Sequence, residues 1–378
     1  MAAHAHSPAT LNQLRCRWLS FAALAGALVV AGGWLLAAQQ GQAYALNWAA
    51  LAAAVLLYQL LFHVRDLNLN HRPGENQLLP SLGPGTWLSL LRLLCIGLLA
   101  GFLFQSRPIG WLAWAPFFIN LLANATDFFD GYAARLSGQV TELGRKLDLD
   151  LDGRGLLVVS LLAVQYGAVP AWFLLVGLAR YLFLFGLWLR QRRGLPVHEL
   201  APRRGRRALA GAQMGLTTAL LAPILGPPET MLAAALFTIP FLFFFLLDWL
   251  QVNGGLPAYF STPDWRRVQL LISRWPPLAL RGLAALLMLQ RISVPSHPVF
   301  TILDWAMLLA VVLGAAARLA SVVGLIATGF HLHFFPGLPA DLYLVVVLSL
   351  LLYLGSGALA WWTPEETWIS RRPAEREQ

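Results

Sequence analysis

Four aspartates, Asp127, Asp130, Asp148 and Asp152, stand in the stretch DFFDGYAARLSGQVTELGRKLDLDLD of a chain otherwise poor in carboxylates. Asp and Glu together number 18 among 378 residues, and 58% of the chain is hydrophobic, so acidic groups in such surroundings need a reason. An ionised Asp at mid-bilayer costs about 2.5–3.5 kcal/mol on insertion scales. A pair of divalent cations holding a phosphorylated substrate would compensate them. Hard ions such as Mg²⁺ and Mn²⁺ favour carboxylate oxygens, and two carboxylates from each of two elements can bridge such a pair.

Helical geometry gathers these residues. At about 100° per residue, Asp127, Asp130, Gly131 and Ala134 share one face of a helix. Gly144, Asp148 and Asp152 follow one another at intervals of four and line one side of a second helix. Asp150 points the opposite way and is excluded from the cluster. Gly131, Ala134 and Gly144 keep the carboxylate faces low, so a bulky group can approach the backbone.

The spacing D-x2-D-G-x2-A-R-x8-G-x3-D-x3-D, met without a gap by Asp127, Asp130, Gly131, Ala134, Arg135, Gly144, Asp148 and Asp152, resembles the signature of the CDP-alcohol phosphotransferases. That resemblance implies an all-α, polytopic membrane enzyme with a six-helix core, placed at about residues 77–252. Such an enzyme displaces CMP from a CDP-linked alcohol with the hydroxyl of a second alcohol, usually to make a phospholipid. It implies that Asp127, Asp130 and Asp148 hold two Mg²⁺ or Mn²⁺ ions. Asp152 matches the general base and can also touch a metal. Gly131 and Ala134 match positions that accept cytidine, Arg135 pairs with phosphate or a helix neighbour, and Gly144 belongs to the substrate side. A homodimer is the default assembly for the family.

One departure from the family pattern precedes the signature. In GPGTWLSLLRLL, Thr86 stands where Asn is common and Ser89 where Thr is common, while Arg92 keeps its place. After the signature, the loop QRRGLPVHELAPRRGRR is strongly basic. Arg203, Arg204, Arg206 and Arg207 are candidates for binding a phosphate of donor or acceptor, by analogy with relatives that use phosphorylated acceptors. The plainer reading is membrane-orienting charge in contact with anionic headgroups.

The elements that must position these groups are membrane helices. Mean hydropathy is +0.63, and apolar runs fall at about 18–38, 43–63, 86–106, 109–129, 154–168, 169–189, 208–226 and 230–252. None alternates as a barrel strand would. The first run reads as a retained helix rather than a cleaved signal. The net charge of +9 does not indicate nucleic acid, because the arginines concentrate in short loops. Those loops, with Arg15, Arg65, Arg145, Lys146 and Arg190 among them, share one side if all eight runs cross. That side is expected to be the cytoplasm of a cell-membrane protein, with the acidic cluster facing it.

Outside the core, residues 1–76 are expected to add two helices. Segment 253–278 reads as an interfacial linker with an amphipathic stretch, and 279–378 as a C-terminal bundle of four crossings. The two middle runs of that bundle, 300–316 and 317–330, could equally be one helix interrupted at Arg318. The tail LYLGSGALAWWTPEETWISRR faintly resembles the end of DoxX-type membrane proteins. Cys16 and Cys95 suggest neither disulfide nor zinc site, and His331 and His333 suggest a surface role. The expected donor is CDP-diacylglycerol, with inositol phosphate, glycerol phosphate or serine as acceptor. A soluble CDP-alcohol donor with a lipid acceptor is the alternative within the class. A scaffold or ion-coupled transporter is the alternative outside it.

Overall fold

The computed structural model describes residues 8–198, 205–254, 263–293, 298–334 and 339–363. Among these it is all-α, an integral membrane protein of helices α1 (Pro8–Gln40), α2 (Gln42–Val64), α3 (Pro84–Ala100), α4 (Ala115–Leu136), α5 (Glu142–Gln165), α6 (Leu174–Arg192), α7 (Gly205–Ala219), α8 (Glu229–Val252), α9 (Pro263–Ile292), α10 (Pro298–Leu313), α11 (Ala317–Phe334) and α12 (Pro339–Leu354). Ala9–Gln40, Gln42–Leu69, Ala171–Arg192 and Glu229–Val252 are long and apolar enough to cross a bilayer unaided. Proline opens α1, α3, α9, α10 and α12, where its missing N–H costs nothing and its fixed φ suits the first turn.

The chain divides into two compact units, one of residues 1–167 with 221–223, the other of residues 168–220 with 224–378. The division falls between α5 and α6, inside the range 77–252.

In the first unit α3 is the central helix, packed on α2, α4 and α5. Its Leu90, Leu93 and Leu99 are fully buried beside Ala52 of α2 and Leu143, Leu147 and Leu151 of α5. Those α5 leucines recur every four residues and therefore form one stripe; truncating one to Ala costs about 2–5 kcal/mol. Each is followed directly by Gly144, Asp148 or Asp152. The burial stripe thus places the carboxylates next to the face that packs on α3. The apolar run 154–168 proves to be the second half of α5, whose first half carries the charges.

The turn joining α4 to α5 is short. Gly138 adopts φ 62, a left-handed conformation that suits glycine. Thr141 caps α5, its Oγ1 accepting from the Gly144 N–H at 3.0 Å. Residues preceding α3 hold this turn from outside: Glu142 N–H donates to His71 O at 3.0 Å, and Arg72 Nε donates to Gly138 O at 3.3 Å.

In the second unit α8 packs on α6, α7 and α12, and α9 to α12 form a bundle. Met288, Met307, Val311, Leu344, Leu348 and Leu351 fill the bundle core. The two middle runs are separate helices: Gly314 (φ 64) and Ala316 (φ 46) break the chain just before α11, ahead of Arg318. Arg281 holds that end together, donating to Val311 O at 2.8 Å and Ser356 O at 3.1 Å. Of the segment read as a linker, 253–278, residues 263–278 are the first half of α9, which runs on through Pro276 and Pro277, and residues 255–262 lie outside the described residues. The surface role expected of His331 is corrected. It is 5% exposed, with Nδ1 3.5 Å from Asp341 Oδ2, because α11 turns that face inward. The side chain of His333 lies outside the described residues.

Candidate active site

Three helices of the first unit build the site. α3 presents Thr86, Ser89 and Arg92 at intervals of three, all of them buried. α4 supplies Asp127 and Asp130, and α5 supplies Asp148 and Asp152. Single oxygens of Asp127, Asp148 and Asp152 all lie within 4.8 Å of one another. Asp130 stands apart from that triad. Its Oδ2 accepts from Ser89 Oγ at 2.9 Å, and it is buried against α3.

Arg92 is the centre of the arrangement. Its Nη1 donates to Asp127 Oδ1 and, at 3.3 Å, to Asp148 Oδ1; its Nη2 donates to Asp152 Oδ1 at 2.6 Å. The Arg92 side chain is 4% exposed, whereas Asp148 is 47% and Asp152 38% exposed. The site therefore has a closed floor of guanidinium and an open rim of carboxylate. One fixed cation offsets only one of three carboxylates, so the cluster keeps net negative charge. Oxygen-only donors with residual negative charge fit a hard divalent ion.

The remaining residues singled out from the sequence surround this cluster in different ways. Arg135 is exposed and folds back along α4; a Cβ at Gly131 would lie 3.1 Å from its Nη1. Gly144 faces hydroxyls, and a Cβ there would lie 3.3 Å from Thr141 Oγ1 and 3.7 Å from Thr86 Oγ1. Ala134 packs on α3, where a Cβ at Gly85 would come 2.7 Å from its methyl and 2.6 Å from Asp130 O. Asp150 does face away, its Oδ2 lying 3.9 Å from Arg154 Nη2. Arg203 and Arg204 lie outside the described residues, as do the side chains of Arg206 and Arg207.

The contact at Gly85 yields a test of this geometry. Gly85→Ala must push α3 from α4 at the level of Asp130. We expect a lower unfolding temperature and at least a tenfold loss of turnover, read by thermal melts and activity on the same sample. Melts and rates equal to wild type would show that the close approach is not needed.

Sequence reasoning placed Arg92 but gave it no task. The signal was available: an arginine two turns into an apolar helix, on the same side as Thr86 and Ser89, must find anionic partners.

Residues 85–251, from α3 to α8, match the family model described as CDP-alcohol phosphatidyltransferase. A CDP-diacylglycerol–glycerol-3-phosphate 3-phosphatidyltransferase of Cereibacter sphaeroides is 36% identical over 104 residues, 26% of this chain and 46% of that protein. The protein of the same name from Bacillus subtilis is 36% identical over 85 residues, 22% of this chain and 43% of its own. A protein of Mycobacterium tuberculosis, provisionally named a cardiolipin synthase, is 32% identical over 138 residues, 35% of this chain and 62% of its own. The chain thus spans about half the length of the curated relatives it matches. No solved structure matches it significantly. Over residues 85–251, rather less than half of its length, the chain is similar to the CDP-alcohol phosphatidyltransferase family.

Proposed function

We propose that this membrane protein transfers a phosphatidyl group from CDP-diacylglycerol to the hydroxyl of a small polar acceptor and releases CMP, a step of phospholipid synthesis. One observation carries this reading: carboxylates from α4 and α5 converge, beside a buried guanidinium, on a rim open to solvent. Glycerol 3-phosphate is the acceptor favoured by the names of two relatives. The longer match to the mycobacterial protein favours a second reading, in which a lipid alcohol accepts and cardiolipin forms.

Asp127, Asp148 and Asp152, with Asp130, would hold a pair of Mg²⁺ or Mn²⁺ ions. Such ions, when bound, neutralise the diphosphate and favour departure of CMP. The protein's own groups do the rest. Arg92 holds the three carboxylates at one locus. Asp152, on the open rim, takes the proton of the acceptor hydroxyl as its oxygen bonds to phosphorus and the phosphorus–oxygen bond to CMP breaks. Gly131 and Gly144 leave the approach low enough for the nucleotide, and Arg135 reaches its phosphates. The basic residues Arg203, Arg204, Arg206 and Arg207 would serve a phosphorylated acceptor. The arginine-rich loops support a cell-membrane orientation with the rim on the cytoplasmic side. Assembly as a homodimer, the family default, belongs to the same reading.

Purified protein in detergent should release CMP from CDP-diacylglycerol only when Mg²⁺ or Mn²⁺ and an acceptor are both present. Chelation by EDTA should abolish release, and readdition of Mn²⁺ should restore it. Rates with glycerol 3-phosphate and with phosphatidylglycerol separate the two acceptor readings. No CMP from either acceptor, with metal present, would remove the proposed reaction.

A further inference from the structure

The face of α5 opposite the carboxylates carries Lys146, Asp150 and Arg154 at intervals of four. Two of these are cations standing two residues outside Asp148 and Asp152 along the chain. Both are tied down by residues that precede the matched domain. Lys146 Nζ donates to Asp66 Oδ1 at 2.6 Å. Arg154 Nη1 lies 2.9 Å from His63 Nε2, and its guanidinium also lies over the Tyr58 and Phe62 rings at 5.6 and 5.0 Å. Arginine is always protonated, so His63 Nε2 must accept. His63 is then the neutral tautomer whose Nδ1–H donates to Asp66 Oδ2 at 3.2 Å. Asp66 thus serves both ties, directly through Lys146 and through His63 to Arg154. His63 is fully buried, and Asp66 nearly so.

We propose that His63 and Asp66 are positioning residues for the metal-ligand helix: from outside the family domain they fix the roll of α5, and with it Asp148 and Asp152. The inference rests on the reading that those two aspartates bind divalent metal. Roll matters because ligand atoms sit about 5–6 Å from a helix axis. A 20° rotation would carry a carboxylate about 2 Å, ten times the tolerance of about 0.2 Å expected of metal–ligand distances. The leucine stripe alone sets the roll less sharply, since apolar contacts are non-directional. Two charged ties on the far side, one turn above and one turn below Asp150, oppose roll in either sense. The ties also keep two cations engaged away from the carboxylate rim.

The test separates placement from simple stability. Unfolding temperature is followed during a Mn²⁺ titration of purified protein without donor, and CMP release is measured against Mn²⁺ on the same samples. For Asp66→Ala and His63→Ala we expect the half-saturating Mn²⁺ to rise at least fivefold in both measurements, with CMP release at saturating Mn²⁺ within about threefold of wild type. Lys146→Met cuts the first tie from a half-exposed position, so it supplies the test if Asp66→Ala does not fold. Reversing the pair, Asp66→Lys with Lys146→Asp, should bring half-saturation back to within about twofold of wild type. Folded variants with wild-type half-saturation would overturn the brace while leaving the metal site intact. A wild-type protein whose melting ignores Mn²⁺ would overturn the metal reading and the brace with it.

Discussion

Asp152→Asn should release CMP about 10²–10⁴ times more slowly than wild type, the range that positioned general bases contribute. The substitution keeps size and shape, and the amide oxygen can still accept from Arg92 Nη2, which lies 2.6 Å from Asp152 Oδ1 in the native protein. What is lost is a carboxylate on the open rim able to take a proton. The measurement is the rate of CMP release at saturating metal, on protein whose melting temperature and detergent-size profile match wild type. A loss smaller than tenfold would assign the proton to another group. A large loss with a matching rise in the metal requirement would instead mark Asp152 as a ligand first.

Arg92→Met should be the most destabilising single change in the site. It leaves three carboxylates at one locus without their common cation. Removing one partner of a buried ion pair costs about 3–5 kcal/mol. The lower end applies here, because Asp148 and Asp152 are partly open to solvent while Arg92 is not. We expect a clear drop in unfolding temperature without metal and a smaller drop with Mn²⁺, since added positive charge substitutes for the lost guanidinium. The comparison of melts with and without Mn²⁺ checks this. An equal loss in both conditions would mean that Arg92 contributes packing rather than charge.

These two residues show what sequence patterns do and do not carry. The faces of α4 and α5 followed from helical spacing: Asp148 and Asp152 share a side and Asp150 is turned away, because a 3.6-residue period sets which residues lie together, whereas their meeting with Asp127 depends on how α4 and α5 pack on α3. Asp130 lies on the same face of α4 yet pairs with Ser89, since depth along a helix depends on what the neighbouring helix presents. That information sits in Gly85 and Ser89, far away in the chain. The ties of Lys146 and Arg154 to Asp66 and His63 were hidden for the same reason. No local spacing links residues so distant, and each taken singly reads as a loop or helix-end charge. The separation of α10 from α11 depended on the conformation of Gly314 and Ala316, which hydropathy does not register. His331 looked like a loop histidine because its position near the end of α11 said nothing of which way that end faces.

The turn between α4 and α5 bears on how the protein can be cut. Its amide at Glu142 and carbonyl at Gly138 are answered by His71 and Arg72, both upstream of residue 85, where the family match begins. A fragment trimmed to the homologous region would carry every ligand candidate and still lack the strap that closes the hairpin bearing them. The smallest piece that keeps this strap is therefore set by hydrogen bonding rather than by similarity, and expression designs should begin ahead of His71.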